Sequence, residues 1–185
     1  MDIEDKKTNS DKWFSYLQEQ ICSHFEKLEK ESNSSKKFVS TNWNKSMQNG
    51  GGNYRILSNG KIFDKVGVNF SEVYGKFSKQ FRNKIPGTNK NPKFWASGIS
   101  VVMHMKNPHI PAMHFNTRYV YTSYGWFGGG MDVTPCIKDK KLEKWFHKEI
   151  KKSCDKHNKN YYKKYKRWCD EYFYLPHRNE PRGIG

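Results

Sequence analysis

Apolar residues recur at Trp13, Phe14, Leu17, Ile21, Phe25 and Leu28, the three- and four-residue spacing of one helical face. With Ser10 as cap, this predicts an amphipathic helix over about residues 11–31, closed by the polar run "ESNSS". A strand is expected at Lys37 to Trp43, followed by a loop at "NGGGN". Two strand-like runs in "YRILSNGKIFDKVGVN" flank Asn59-Gly60, a dipeptide that favours a hairpin turn. The next stretch, "SEVYGKFSKQFRNKIPGTNKNPK", is dense in turn formers and reads as irregular. Alternation returns over Trp95 to Met105 and Ala112 to Tyr121, predicting two strands joined by a connection with Pro108 and Pro111. The glycine-rich "SYGWFGGGMDVTP" reads as a loop, and helical spacing resumes over Lys140 to Lys156 and Tyr161 to Tyr174. In the last helix, Tyr161, Tyr165, Trp168 and Tyr172 form an apolar stripe that reads as a packed face. The ending "LPHRNEPRGIG" carries no element signal. The order is that of an α+β fold: a large, mainly antiparallel sheet over about residues 37–122, with helices flanking it.

A length of 185 residues suits one domain, here residues 1–185, with a core richer in rings than in aliphatics, because aromatics reach 16% while hydrophobics total only 35%. No apolar run reaches the length of a membrane span, and "MDIEDKKTNS" lacks the apolar centre of a signal peptide. Cys22, Cys136, Cys154 and Cys169 have no C-x-x-C spacing and read as isolated thiols in a reducing compartment. The expected location is the cytoplasm, with no membrane span. Charge adds one question, since the formal net charge is +16 and only six of the 34 basic residues are arginine. Lysines crowd the stretch from Lys138 to Lys166, where they read either as solvated helix faces or as an attraction for a polyanion.

Chemistry concentrates on the two alternating strands. Side chains two apart point the same way, so Ser100, Val102 and His104 share a face, as do His114, Asn116 and Arg118 on the next strand. Val101, Met103, Met105, Met113, Phe115, Tyr119 and Tyr121 make the opposite face apolar. Arg118 offers a planar fork to a carboxylate, Asn116 and Ser100 donate or accept hydrogen bonds, and histidines exchange protons near neutral pH. The plainer reading of such a face is an ordinary solvated sheet. Gly128, Gly129 and Gly130, just before Asp132, read either as a site of close ligand approach or as a tight turn. No Lys-Ser or Lys-Thr follows them, which excludes a phosphate loop of the Walker type.

The blocks "GGGNYRILSNGKIFDKVGVNFSEVYGKF", "FWASGISVVMHMKNPHIPAMHFNTRY", "WFGGGMDVTP", "FHKEIKKSCD" and "YYKKYKRWCDEYFYLPHRNEPRGIG" resemble, in order, the oxygen-dependent coproporphyrinogen-III oxidases. The resemblance runs from about Trp13 to the last residue. It implies oxidative decarboxylation of two propionates of coproporphyrinogen III to vinyl groups with molecular oxygen, giving protoporphyrinogen IX, carbon dioxide and hydrogen peroxide in haem biosynthesis. Oxygen would be the co-substrate, and no organic cofactor is implied.

Residue by residue, the resemblance implies substrate contacts at Ser100, Asn116, Thr117 and Arg118, a proton donor at His114, and an acidic residue at Asp132 able to polarise a pyrrole N–H. Strand parity turns the Thr117 side chain away from its two neighbours. The resemblance also implies a divalent metal such as Mn²⁺ on His104, His114, His147 and His177, the alternative being four individually placed polar histidines. Family chains continue beyond "PRGIG", so this one reads as C-terminally truncated, with an incomplete sheet and a homodimer that depends on the remainder. Cys136, where an aromatic often stands, and Asn53 also depart from the family pattern. Two other readings compete: a non-catalytic porphyrinogen-binding remnant or subunit, and a basic nucleic-acid-binding module suggested by "NKNYYKKYKRW". The partner set is coproporphyrinogen III, with no nucleic acid.

Overall fold

The computed structural model describes residues 2–46, 49–78, 80, 84–89 and 91–185. Among these residues eleven elements follow one another: α1 (Ile3–Glu31), β1 (Val39–Ser46), β2 (Gly50–Ser58), β3 (Phe63–Lys76), β4 (Lys93–Met105), β5 (Ala112–Tyr121), β6 (Gly125–Thr134), α2 (Lys140–Asp155), α3 (Tyr161–Tyr172), β7 (Tyr174–Leu175) and β8 (Glu180–Pro181). Strands β1 to β6 form one sheet in sequence order, every pair antiparallel, as connection by hairpins requires.

Several boundaries differ from the expectation. Helix α1 begins at Ile3 and not near residue 11, because Asp2 and Asp5 form a reciprocal capping box that starts the helix two turns earlier on a solvated, polar face. The glycines of "NGGGN" lie in β2, and β3 runs on to Lys76 through part of the segment read as irregular. The remaining irregular segment includes Lys79, residues 81–83 and Lys90, which lie outside the described residues. "GWFGGGMDVT" is strand β6 and not a loop. Glycine rows carry no side-chain alternation, yet their backbones pair as well as any; a Cβ on Gly129 would stand 2.3 Å from the carbonyl oxygen of Asn116.

Helix α1 crosses the apolar face of β3, β4 and β5. Phe14 and Cys22 join Leu57, Phe63, Val66, Val68, Ile99, Val101 and Tyr119 in one buried cluster. Each such side chain contributes about 1.5–3 kcal/mol when fully buried. Polar groups fix the helix on the sheet. Gln18 donates to the carbonyls of Asn53 (2.9 Å) and Val68 (3.0 Å), and Ser97 donates to Asp11 at 2.8 Å. Glu29 is fully buried and accepts the backbone N–H groups of Lys61, Ile62 and Phe63 at 2.7, 3.0 and 2.9 Å, clasping the β2–β3 turn. Burial opposes its charge, but hydrogen bonds from Phe63, Ser34, Lys61 and Ile62 outweigh that and hold its pKa below the ordinary glutamate value.

Helices α2 and α3 pack on each other as a hairpin beside β5 and β6, on the side of the sheet away from α1. The chain then turns through the β7–β8 pair and runs back beside β6, where Ile184 N–H donates to Val133 at 2.8 Å. No helix among the described residues is long and apolar enough to cross a membrane.

Candidate active site

Strand register sets the floor of the site. Ser100 pairs with Asn116, Gly98 with Arg118 and Val102 with His114 across β4 and β5, and on the other side Asp132, Gly130 and Gly128 pair with His114, Asn116 and Arg118. Paired residues in an antiparallel ladder share a face, so His114, Asn116 and Arg118 stand side by side, flanked by a column of glycines. A Cβ built on Gly130 meets nothing within 4 Å, so this glycine leaves open space next to Asn116. Arg118 Nη2 donates to Asn116 Oδ1 at 3.4 Å, and among the described residues no carboxylate stands within ion-pair distance of Arg118.

Over this floor stands a cavity of about 520 Å³, within the usual range for a small-molecule site. His114, Asn116 and Arg118 form its base. Its walls come from α2 (His147, Ile150, Cys154), from α3 (Tyr162, Tyr165, Lys166, Trp168, Cys169, Tyr172), and from Arg182 and Gly185. The Tyr165–Trp168 stripe is therefore a cavity wall and not a packed face; Trp168 remains 56% and Tyr172 80% exposed. Burial first, and then the positive charge of Lys166, push the His147 pKa below the ordinary histidine value, so this ring is neutral at pH 7.

Asp132 is only 1% exposed and does not line the cavity. Its Oδ2 accepts both Nε (2.7 Å) and Nη2 (2.6 Å) of Arg182, whose guanidinium also lies 4.4 Å from the Phe173 ring centroid. Its Oδ1 is buried without a hydrogen-bond partner among the described residues. The backbone of Gly183 and Gly185 covers it so closely that a Cβ on either would stand 2.3 and 2.9 Å away. Asp132 thus meets the site through Arg182.

The other expected residues divide. Ser100 lies on the floor beside Asn116, just outside the cavity lining, and His104 is exposed farther along the same face. Thr117 pairs with Ile99 and Gly129 on the α1 side, as parity requires, and does not line the cavity. His177 is exposed in the β7–β8 turn. Only His114 and His147 of the four histidines share the cavity, and no group of three or more His, Cys, Asp or Glu among the described residues is placed to hold a metal ion. The donors do not converge, so the residues present do not fit a resident metal.

Sequence reasoning missed Arg182, Lys166 and the α3 wall. The signal for α3 was present, because Tyr162, Lys166 and Cys169 repeat at four and three residues on one helical face.

Residues 9–185 match the family model described as coproporphyrinogen III oxidase. The oxygen-dependent coproporphyrinogen-III oxidase of Rickettsia africae (strain ESF-5) is 50% identical over 190 residues, covering all of this chain and 67% of the relative. That of Rickettsia bellii (strain RML369-C) is 51% identical over 178 residues, covering 94% of this chain and 63% of the relative. The chain therefore spans about two thirds of the length of these relatives. The chain belongs to the coproporphyrinogen III oxidase family.

Proposed function

We propose that the cavity takes coproporphyrinogen III and that the protein converts two of its propionates to vinyl groups with molecular oxygen, yielding protoporphyrinogen IX. The observation that carries this is Arg118, a guanidinium without a carboxylate partner among the described residues, beside Asn116 and His114 on the floor of an aromatic-walled cavity. A planar fork of this kind accepts a carboxylate in two parallel hydrogen bonds. Asn116, at 3.4 Å, orients the fork, and Ser100 extends the polar floor.

For each propionate, the Cα-carboxyl bond breaks and a C–H bond of the neighbouring methylene is lost, releasing carbon dioxide and two electrons to oxygen. Oxygen, with two protons, becomes hydrogen peroxide; one proton comes from the methylene and one must be supplied. In this reading His114, which lines the cavity, supplies it. Asp132 acts as a positioning residue for Arg182, and no step is routed through a metal.

Part of the positive charge of the lysine-rich helices is neutralised within the helices themselves, which leaves less of it to attract a polyanion. Lys151, Lys152, Lys166 and Arg167 pair with Asp155, Glu149, Asp170 and Glu171 of their own helices. A solvated, internally paired face accounts for them.

The test is incubation of the protein with coproporphyrinogen III in air, quantifying protoporphyrinogen IX and carbon dioxide against an anaerobic control. Oxygen-dependent formation of both is the expected result, and their absence from folded protein would contradict the reading.

A further inference from the structure

Three cations border the cavity, and they differ in what already occupies them. Arg182 is held by the buried Asp132, and Arg118 has no carboxylate partner among the described residues. Lys166, on the α3 wall, is paired with Asp170 one turn further along its own helix. That pair is poorly suited to be permanent. Its order, cation before anion at a four-residue spacing, is the less favourable one on a helix, and it puts the anion Asp170 in the last turn of α3, where the helix dipole opposes it. Asp170 is also 55% exposed, whereas Lys166 is 29% exposed. Water stabilises the released carboxylate at little cost, while the less exposed ammonium at the cavity wall gains more from an anion beside it.

We infer that Lys166 is the second carboxylate-binding group of this cavity, and that a carboxylate of the ligand displaces Asp170 from it. The inference rests on the reading of the cavity as a site for a carboxylated macrocycle. Arg118 on the sheet floor and Lys166 on the helical wall then grip two carboxylates of one ligand. The ring lies between the floor and the aromatic wall of Tyr162, Tyr165 and Trp168. Such a site selects a polycarboxylate over a ligand with one acidic group, since only the former engages both cations at once. Asp170 holds Lys166 in place before the ligand arrives and competes with it for the ammonium. This competition gives the two residues opposite effects on affinity, which a purely structural ion pair would not produce.

The experiment is a fluorescence titration of the full chain with coproporphyrin III, the stable oxidised tetracarboxylate, at constant salt. Circular dichroism confirms that each variant is folded. Lys166→Gln is expected to weaken binding about tenfold, and Lys163→Gln, an exposed lysine of the same helix outside the cavity lining, less than about twofold. Asp170→Asn is expected to tighten binding about threefold, because the competitor is gone. Equal effects of the two lysine variants, or weaker binding by Asp170→Asn, would overturn the role of Lys166 while leaving the cavity reading intact. No binding of coproporphyrin III by the unchanged chain would overturn the cavity reading, and this inference with it.

Discussion

Arg182 closes two nitrogens on a single oxygen of Asp132, at 2.7 and 2.6 Å, across fifty residues of sequence. The pair ties the segment after β8 to strand β6 and holds a guanidinium at the edge of the cavity. It also neutralises a carboxylate that is otherwise sealed from water.

Arg182→Ala should therefore cost about 3 kcal/mol of stability, because it leaves the buried Asp132 charge uncompensated. The double variant Asp132→Asn with Arg182→Ala should recover part of that loss. Urea unfolding of the single and double variants at neutral pH measures both, and a double variant less stable than Arg182→Ala would contradict the argument.

Glu29 makes stability depend on pH in a stated direction. Its folded pKa lies below the ordinary value of 4.5, so its contribution is fully present above that value and is lost as pH falls through the folded pKa. Glu29→Gln should cost about 2 kcal/mol at pH 7, where a charged acceptor of three backbone N–H groups is replaced by a neutral one. The gap between the two proteins should shrink as the pH drops below 4.5. A gap that stays constant down to pH 3 would remove the charge from the explanation.

The glycines of β6 separate shape from fold. Gly129→Ala should destabilise the sheet by about 2–3 kcal/mol, since the new methyl group would overlap the Asn116 carbonyl. Gly130→Leu should leave the melting temperature within a few degrees but obstruct the cavity, weakening coproporphyrin III binding by about tenfold or more. Thermal melts together with the titration check the contrast.

The sequence made strand β5 plain because apolar Met113, Phe115, Tyr119 and Tyr121 interleave with polar His114, Asn116 and Arg118, and with it the grouping of those three polar residues. It hid β6, since Gly128, Gly129 and Gly130 give no side-chain period even though they pair along their whole length. The stripe of Tyr161, Tyr165, Trp168 and Tyr172 was visible, but periodicity reports that a face is apolar and not what covers it. The bond between Asp132 and Arg182 belongs to tertiary structure alone, and no local pattern announces it. The likeness of whole blocks to a known family supplied roles for residues that spacing left unassigned, yet of the four histidines it grouped only His114 and His147 share the cavity.

His114→Ala should lower kcat about a hundredfold, with KM changed less than about twofold, because a proton donor acts on the reacting group and not on the distal carboxylates. Steady-state kinetics in air settles the split. A rise in KM with kcat unchanged would remove His114 from proton transfer.

Arg118 is proposed to hold a reacting or anchoring propionate on the cavity floor. The most direct measurement is kcat/KM for coproporphyrinogen III in the unchanged protein and in Arg118→Ala, with Lys163→Ala as the surface control. The expected result is a loss of about tenfold to a hundredfold for Arg118→Ala, the worth of a charged bidentate contact, and of less than about twofold for Lys163→Ala. Equal values for the two variants, with both folded, would contradict it.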